Sequence, residues 1–307
     1  MPAGVAAVAH RVVHGGADLR EPTVIDDDVE RRLGELTELA PLHNAPALRA
    51  IAEARRLLPN VAHVAVFDTA FHATIPDVAV TYALPRRLRD AFGIRRYGFQ
   101  GLSVQWASEQ VQVARLVVCH LGGGCSVTAV RDGRSIDTTM GFTPLEGVPM
   151  ATRAGSVDPG ALLHLLRHGL TVEELEHALE HESGLLGLSG SSPDVRELEQ
   201  SDDEAALLAL DIFCYRVAGS VAAMATALGG LDALVFTAGI GENSARVRGG
   251  ICARLRPVGV ELDETANDSA RPDTEIGGPG AVRVFVIRAR EDLVAARATR
   301  ALLELDA

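Results

Sequence analysis

The chain has 307 residues with a hydrophobic fraction of 47% and a charged fraction of 23%, as in soluble globular proteins, and this length allows one large domain or two. Its formal net charge of −12 argues against nucleic acid or an anionic membrane as a partner. All 29 basic residues are arginine. The absence of lysine excludes the Walker-A loop, the protein-kinase lysine and Schiff-base chemistry.

The sequence gives no indication of secretion or membrane insertion. No apolar run approaches the roughly 18 residues of a membrane span, and residues 1–4 carry no basic segment typical of a signal peptide. Cys119, Cys125, Cys214 and Cys252 form no metal-ligand spacing, so we expect reduced thiols rather than a disulfide scaffold or a zinc site. A cytoplasmic location is the expectation.

Hydrophobic patterning predicts a chain of mixed helices and strands. Apolar segments with turn-like flanks predict buried strands at residues 61–67, 115–120 and 231–237. Amphipathic segments predict helices at residues 30–42, 45–58, 103–113, 159–168, 172–180, 202–228 and 291–303. This mixture of elements favours layered α/β architecture.

Residues 114–139 predict a three-stranded meander. Its strands are 115–120, 125–130 and 135–139, and its second turn is Asp132-Gly133. Asp-Gly between two apolar runs is a strong hairpin signal. The first turn contains Gly122, Gly123 and Gly124, which follow His120 and Leu121. Such glycines let backbone N–H groups approach a phosphate, although a plain tight turn explains them equally well.

A second glycine segment follows the predicted strand 231–237 and precedes a helix expected from Ala245. It consists of Gly239, Ile240, Gly241, Glu242 and Asn243. Backbone donors at such a position suit a nucleotide, but the third glycine of a Rossmann site is missing. Two strand–glycine segments therefore favour a nucleotide held at sheet edges over a dinucleotide fold.

Three charged residues lie in apolar surroundings: Arg11, Asp68 and Arg153. Arginine makes bidentate, charge-assisted hydrogen bonds with carboxylate and phosphate. An aspartate at a strand end orients such an arginine or holds a metal. For each residue alone, a structural ion pair is the alternative explanation.

Taken together, these segments resemble the ordered motifs of the acetate kinase family. The resemblance extends over residues 10–16, 41–44, 67–76, 95–101, 119–126, 137–159, 183–189 and 236–244. Its most specific part is the Asp-Thr-Thr-Met-Gly-Phe-Thr-Pro-Leu-Glu-Gly string at 137–147. It implies the duplicated α/β fold of actin, hexokinase and Hsp70 (ribonuclease H-like), with an incomplete first domain. That domain would comprise 1–72 plus 290–307, and residues 73–289 would form the nucleotide-binding domain.

The resemblance also implies Mg²⁺-dependent transfer of the γ-phosphoryl group of ATP to a short-chain carboxylate, in a cytoplasmic homodimer. Arg11 and Arg153 would bind the carboxylate and the phosphoryl group. These two arginines would be catalytic together with Asp68 and Gln100, and Arg11 and His43 would bind the substrate. Glu291 would associate with Mg²⁺. The implied nucleotide-binding residues are His120, Gly122, Gly123, Gly124, Gly239, Ile240, Gly241, Glu242 and Asn243. The chemistry is coherent, because arginines and Mg²⁺ offset the repulsion between two anions and an ionised carboxylate needs no general base.

The sequence departs from the family pattern at several positions. Nothing before His10 matches the family's Asn-x-Gly-Ser-Ser-Ser phosphate loop and its first strands. Gln100 and Val104 replace histidines, Gly123 replaces an asparagine and Ser156 replaces an aspartate. Gln100 still donates a hydrogen bond but carries no charge. Two hypotheses follow: a carboxylate kinase, or a catalytically impaired relative that binds nucleotide.

Overall fold

The computed structural model of the chain describes residues 4–39 and 41–305, without the side chains of residues 38, 39 and 41–43. The chain divides into two compact units. Unit 1 is the described part of Met1–Trp106, Phe142–Pro144 and Arg290–Ala307, and unit 2 is Ala107–Gly141 with Leu145–Ala289. Unit 1 thus includes residues 73–106, which the sequence assigned to the second domain; the domain boundaries remain a prediction.

The strands form one sheet in each unit. They are β1 Ala7–Val12, β2 Thr23–Val24, β3 Ala62–Phe67, β4 Arg115–Leu121, β5 Cys125–Arg131, β6 Arg134–Thr138, β7 Ala233–Thr237, β8 Thr274–Glu275 and β9 Arg283–Val286. The sheet of unit 1 has the order β1-β3-β2, and that of unit 2 has the order β6-β5-β4-β7-β9-β8.

The helices occupy most of the remaining chain. They are α1 Asp27–Glu35, α2 Pro41–Leu57, α3 Asp77–Val80, α4 Arg86–Phe92, α5 Gly101–Gln110, α6 Pro159–Arg167, α7 Val172–His181, α8 Gly184–Ser189, α9 Val195–Glu199, α10 Glu204–Leu228, α11 Ala238–Asn243, α12 Ala245–Leu255, α13 Glu264–Asp268 and α14 Glu291–Leu302. Turns of 3₁₀ helix are formed by Leu36–Leu39, Ala70–Thr74 and Arg256–Val258.

In unit 1, β1 runs parallel to β3 and β2 runs antiparallel to it. Helices α1 and α2 cover one face through a buried cluster that includes Leu33, Ile51 and Phe67. Helix α14 contributes Val294 to a second cluster with Val64 and Val66. Strand β1 was not among the predicted strands, because its alanines and its His10-Arg11 pair weaken the apolar pattern.

In unit 2, β4, β7 and β9 run parallel, so their carboxyl ends meet at one edge of the sheet. The predicted meander is present as β4–β5–β6, and Asp132 and Gly133 adopt φ values of 49° and 74°, as an Asp-Gly hairpin turn requires. Helix α10 packs against this sheet. By length and composition α10 could cross a membrane, but 44% of its most apolar stretch is buried, as in the core helix of a globular protein.

The predicted strands are all present, six of the seven helices predicted with both ends match within a few residues, and the helix expected from Ala245 is α12. The prediction of one helix over residues 30–42 is wrong in its bounds. Asp26 accepts a hydrogen bond from the Val29 N–H at 2.8 Å, and this N-cap starts α1 at Asp27. The helix then tightens into a 3₁₀ turn after Glu35.

Candidate active site

Arg11 and Asp68 meet where the parallel strands β1 and β3 end. Arg11 lies beside Val66 in the register, one residue before the end of β1, and Asp68 directly follows β3. The Arg11 guanidinium donates from Nε to Asp68 Oδ1 at 2.8 Å and from Nη2 to Oδ2 at 2.6 Å. The Asp68 side chain is 2% exposed and that of Arg11 is 45% exposed. A buried carboxylate thus orients an arginine that remains accessible.

Glu291 completes this cluster, which we call the arginine network (Arg11, Asp68 and Glu291). It is the first residue of α14, and its Oε2 lies 2.9 Å from Arg11 Nη1. Burial raises the pKa of Glu291, and the positive charge of Arg11 opposes that rise. The hydrogen bond to Asp68 raises the pKa of Arg11. Arg11 is therefore a permanent cation held between two carboxylates.

Gln100 lies at the start of α5, close to the backbone of Asp68. Its φ is +62°, an uncommon conformation for a residue other than glycine, and it is 8% exposed. The next residue, Gly101, donates its N–H to the Asp68 carbonyl at 2.9 Å, and a Cβ there would lie 2.3 Å from that oxygen. His72 Nε2 also lies 2.9 Å from the Phe99 carbonyl. The chain on both sides of Gln100 is thus tied to the turn that carries Asp68.

Sequence reasoning missed the role of Asn44 in this unit. Asn44 exchanges two hydrogen bonds of 3.2 Å with the backbone of His14, which holds the segment that follows β1. Burial lowers the pKa of His14 to about 4, so this imidazole is neutral. Asn44 was visible only as part of the 41–44 motif. The side chain of the neighbouring His43 lies outside the described residues, and its proposed place near the substrate remains a prediction.

In unit 2, the two glycine segments lie side by side. His120 on β4 is paired in register with Thr237 on β7, so the segments that follow these strands emerge together. A Cβ on Gly122 would lie 3.5 Å from the Ala238 Cβ and 3.8 Å from the Gly239 N. A Cβ on Gly123 or Gly239 would meet no atom within 4 Å. The edge of the sheet therefore presents open backbone, as phosphate binding requires.

The segment from Gly239 to Asn243, expected as a loop, is the short helix α11. Ala238 enters it with φ +66°. The Glu242 side chain folds back, and its Oε1 accepts hydrogen bonds from Ala238 N at 3.1 Å and Ala289 N at 2.8 Å. Asn243 Nδ2 donates to the Gly239 carbonyl at 2.8 Å. Bonds of these two side chains within α11, and the bond of Glu242 to the distant Ala289, thus support the extra helical turn, and the contacts of Glu242 and Asn243 with nucleotide remain predictions.

Arg153 also belongs to unit 2, on a loop that the backbone holds tightly. Its carbonyl accepts from Met150 N at 3.0 Å, and Ala151 N donates to the Gly123 carbonyl at 3.3 Å. Gly184 has φ +60°, and a Cβ there would lie 2.2 Å from the Met150 oxygen. Burial lowers the pKa of Arg153. The Arg153 loop therefore adjoins the first glycine turn.

Comparison with known proteins shows the family. The sequence model of the Acetokinase family matches residues 2–297. The chain belongs to the acetokinase family. As the sequence predicted, it is a phosphotransferase of the kinase class with ATP as a substrate.

Curated relatives and solved structures match over nearly the whole chain. An acetate kinase of Thermosynechococcus vestitus is 48% identical over 99% of this chain and 76% of its own length. An acetate kinase of Methanosarcina acetivorans is 44% identical over 98% of this chain and 77% of its own. A propionate kinase structure from Francisella tularensis has a TM-score of 0.91 at 40% identity, covering 95% of this chain and 78% of that one. The predicted α/β fold of this family is confirmed.

The resemblance to this family predicted that Mg²⁺ is required, and the carboxylates of unit 1 suit this ion. Within residues 4–39 and 41–305, no group of three or more His, Cys, Asp or Glu side chains forms a protein-only metal site. Mg²⁺ usually binds one or two carboxylates together with substrate phosphates and water. Asp68 and Glu291 bring two carboxylates together around Arg11. Glu291, the predicted metal residue, is thus in suitable surroundings.

Proposed function

We propose that this acetokinase-family chain transfers the γ-phosphoryl group of ATP to a short-chain carboxylate, giving an acyl phosphate and ADP. The observation that carries the proposal is the arginine network. Its cation is accessible to a ligand, and a buried carboxylate fixes its orientation. The relatives are named acetate kinase and propionate kinase, and acetate and propionate are both short-chain carboxylates.

The transfer brings one anion against another. A carboxylate oxygen attacks the γ-phosphorus in line, a new P–O bond forms, and the bond to the bridging oxygen of ADP breaks. Because the carboxylate is ionised at neutral pH, no proton has to be removed. Negative charge accumulates on the equatorial oxygens of the phosphoryl group, and cationic side chains must lie beside these oxygens to stabilise it. We assign this role to Arg11 and Arg153.

Asp68 and Gln100 act beside Arg11. Asp68 uses both carboxylate oxygens to hold the guanidinium, so the arginine is oriented before the substrate arrives. Gln100 supplies a neutral amide donor at the position where the family has histidine. Glu291 would hold Mg²⁺, which when bound neutralises charge on the ATP phosphates.

The nucleotide is assigned to the paired glycine segments of unit 2. A Cβ on Gly123 or Gly239 would meet no atom within 4 Å, so a phosphate can approach the backbone there closely, while the Gly122 N–H donates to the Gly124 carbonyl at 3.1 Å and shapes the turn. His120, which is 8% exposed, is the last but one residue of β4 and lies two residues before Gly122. The parallel pairing of β4 and β7 brings both segments to one place.

The second hypothesis, a catalytically impaired nucleotide-binding relative, is not favoured. The chain is 48% identical to an acetate kinase over 315 aligned residues, and Arg11 is paired with both Asp68 and Glu291. The replacement of one preorganised donor, as at Gln100, costs on the order of 10²–10³ in rate without abolishing catalysis.

A cytoplasmic homodimer completes the proposal. Helix α6 has no buried residue, and Leu163 on it is 50% exposed. Val172, at the start of α7, is 66% exposed. A second copy of the chain would remove this apolar surface from water. Light scattering of the purified chain, beside a Leu163→Glu variant, tests this part of the proposal.

The main test is formation of acetyl phosphate, trapped as the hydroxamate, from ATP, Mg²⁺ and acetate, and then of propionyl phosphate from propionate. Wild type is compared with Arg153→Ala. We expect turnover in the wild type and a loss of about 10³-fold in the variant. A folded wild type that binds ATP but shows no turnover above the variant would support the impaired relative instead.

A further inference from the structure

Unit 2 contains a buried arginine to which the proposed mechanism gives no role. Arg248 lies on α12 and is 2% exposed. A buried cation is costly unless its donors are satisfied by well-placed acceptors. The hydrogen-bond partners of the Arg248 guanidinium therefore indicate what this buried residue does.

The Arg248 guanidinium bonds the end of the proposed nucleotide segment. Its Nη1 donates to the carbonyls of Gly241 and Glu242, each at 3.0 Å. These carbonyls lie in the last turn of α11, where helical C=O groups have no intrahelical partner and carry partial negative charge. Arg248 thus satisfies the carboxyl end of α11 with a full positive charge.

The other side of the same guanidinium is anchored to α13. Nε donates to Asn267 Oδ1 and Nη2 to the Asn267 carbonyl, both at 2.8 Å. The Asn267 side chain is itself fixed, because its Nδ2 donates to the Ala245 carbonyl at 3.0 Å. Asn267 is 2% exposed. Arg248 and Asn267, which we call the α11 clamp, therefore join the end of the glycine segment to a neighbouring helix.

The two ends of α11 are thus held by opposite charges. The Glu242 carboxylate accepts from Ala238 N at the beginning, and Arg248 donates to the carbonyls of residues 241 and 242 at the end. Between these points a Cβ on Gly239 would meet no atom within 4 Å. The open part of the segment is the part that a phosphate would approach, and both of its ends are fixed by hydrogen bonds that are buried or partly buried.

We propose that Arg248, anchored by Asn267, is a positioning residue for nucleotide binding: it holds α11 so that its glycine backbone faces ATP. The inference rests on the proposed function in one respect, the assignment of ATP to this segment. Arg248 contacts no substrate. Its removal acts through α11, so ATP binding weakens while binding of the carboxylate, in which α11 has no assigned role, is unchanged.

Only a forked donor can make this set of bonds. A lysine at 248 keeps the charge but offers a single ammonium, which cannot reach the Gly241 and Asn267 oxygens together in the geometry of a guanidinium. Methionine keeps the volume of the stem and removes both charge and donors. These two variants therefore separate the effect of charge from that of the fork.

The test uses Arg248→Met and Arg248→Lys, with Arg254→Met as the matched control. Arg254 is on the same helix, and its guanidinium pairs with Asp211. We expect the KM for ATP to rise about tenfold or more in Arg248→Met and to a smaller degree in Arg248→Lys, while the KM for acetate changes less than twofold. Arg254→Met should leave both constants unchanged.

Two outcomes would overturn the inference: an unchanged KM for ATP in folded Arg248→Met, or equal changes in the KM for ATP and the KM for acetate. If Arg248→Met does not fold, Asn267→Ala replaces it, because this variant removes the Nε partner and keeps the carbonyl; an unchanged KM for ATP there would equally contradict the clamp. The increase in melting temperature caused by ATP is measured alongside. It tests the clamp even if the wild type forms no acyl phosphate, so failure of the proposed function and failure of the clamp are distinguishable.

Discussion

The two units place their predicted catalytic arginines by different means. In unit 1, side-chain charges orient Arg11, which is bonded to Asp68 and Glu291. In unit 2, backbone bonds and glycines shape the loop that carries Arg153. Ion pairs respond to protonation and to isosteric substitution, whereas a glycine-shaped loop responds to added volume. Each unit should therefore fail under a different kind of substitution.

The largest expected effect is steric and concerns unit 2. Gly184→Ala places a Cβ 2.2 Å from the Met150 oxygen and 2.7 Å from the Arg153 oxygen, at φ +60°. Overpacking and left-handed strain together should lower the free energy of unfolding by about 4 kcal/mol. Gly190→Ala is the control, because Gly190 has φ +66° and a Cβ added there would meet no atom within 4 Å. This variant should lower the free energy of unfolding by only about 1 kcal/mol. Urea unfolding measures both, and equal losses would contradict the steric account.

The next effect is a pH dependence located in unit 1. Burial lowers the pKa of His72 from 6.5 to about 4. Between these values the unfolded chain binds a proton that the folded chain does not, so stability falls as the pH falls and is unaffected above 6.5. The total loss is roughly 3 kcal/mol. His72→Gln, which can still donate to the Phe99 carbonyl, should reduce this slope in urea unfolding between pH 7 and pH 4.

The matched control is His177→Gln, because the imidazole of His177 is exposed. It should leave the pH slope of the unfolding free energy as in the wild type. A wild-type slope retained in His72→Gln would show that other groups cause the acid instability.

The smallest effect concerns the metal side of the arginine network. Glu291→Gln removes a negative charge and should raise the KM for Mg²⁺ about tenfold, roughly 1.4 kcal/mol. Because burial raises the pKa of Glu291, wild type should approach the behaviour of this variant as the pH falls. Asp292→Asn, one residue along α14, is the control. The assay is acyl phosphate formation at varied Mg²⁺, and equal effects of the two variants would refute a specific role of Glu291.

The sequence predicted the residues of the arginine network better than the residues of unit 2 that hold α11 in place. Arg11 and Asp68 were recognisable because charged residues are conspicuous in apolar surroundings and at strand ends. The clamp residue Arg248 was not found, because its acceptors are carbonyls and an amide side chain that only the tertiary fold brings together. The helical form of residues 238–243 was missed for the same reason, since the bonds of Glu242 to Ala238 and Ala289 depend on the folded chain.

The most direct test of the separate roles of the two units is Asp68→Asn, an isosteric change that removes the carboxylate of Asp68 from Arg11. ATP affinity is measured by titration calorimetry and acyl phosphate formation is measured on the same preparation. We predict that turnover falls about 10²-fold or more while the Kd for ATP stays within about twofold of wild type. Turnover near the wild-type rate, or a loss of ATP affinity that matches the loss of turnover, would contradict the assignment of a catalytic role to the arginine network of unit 1 and of nucleotide binding to the glycine segments of unit 2.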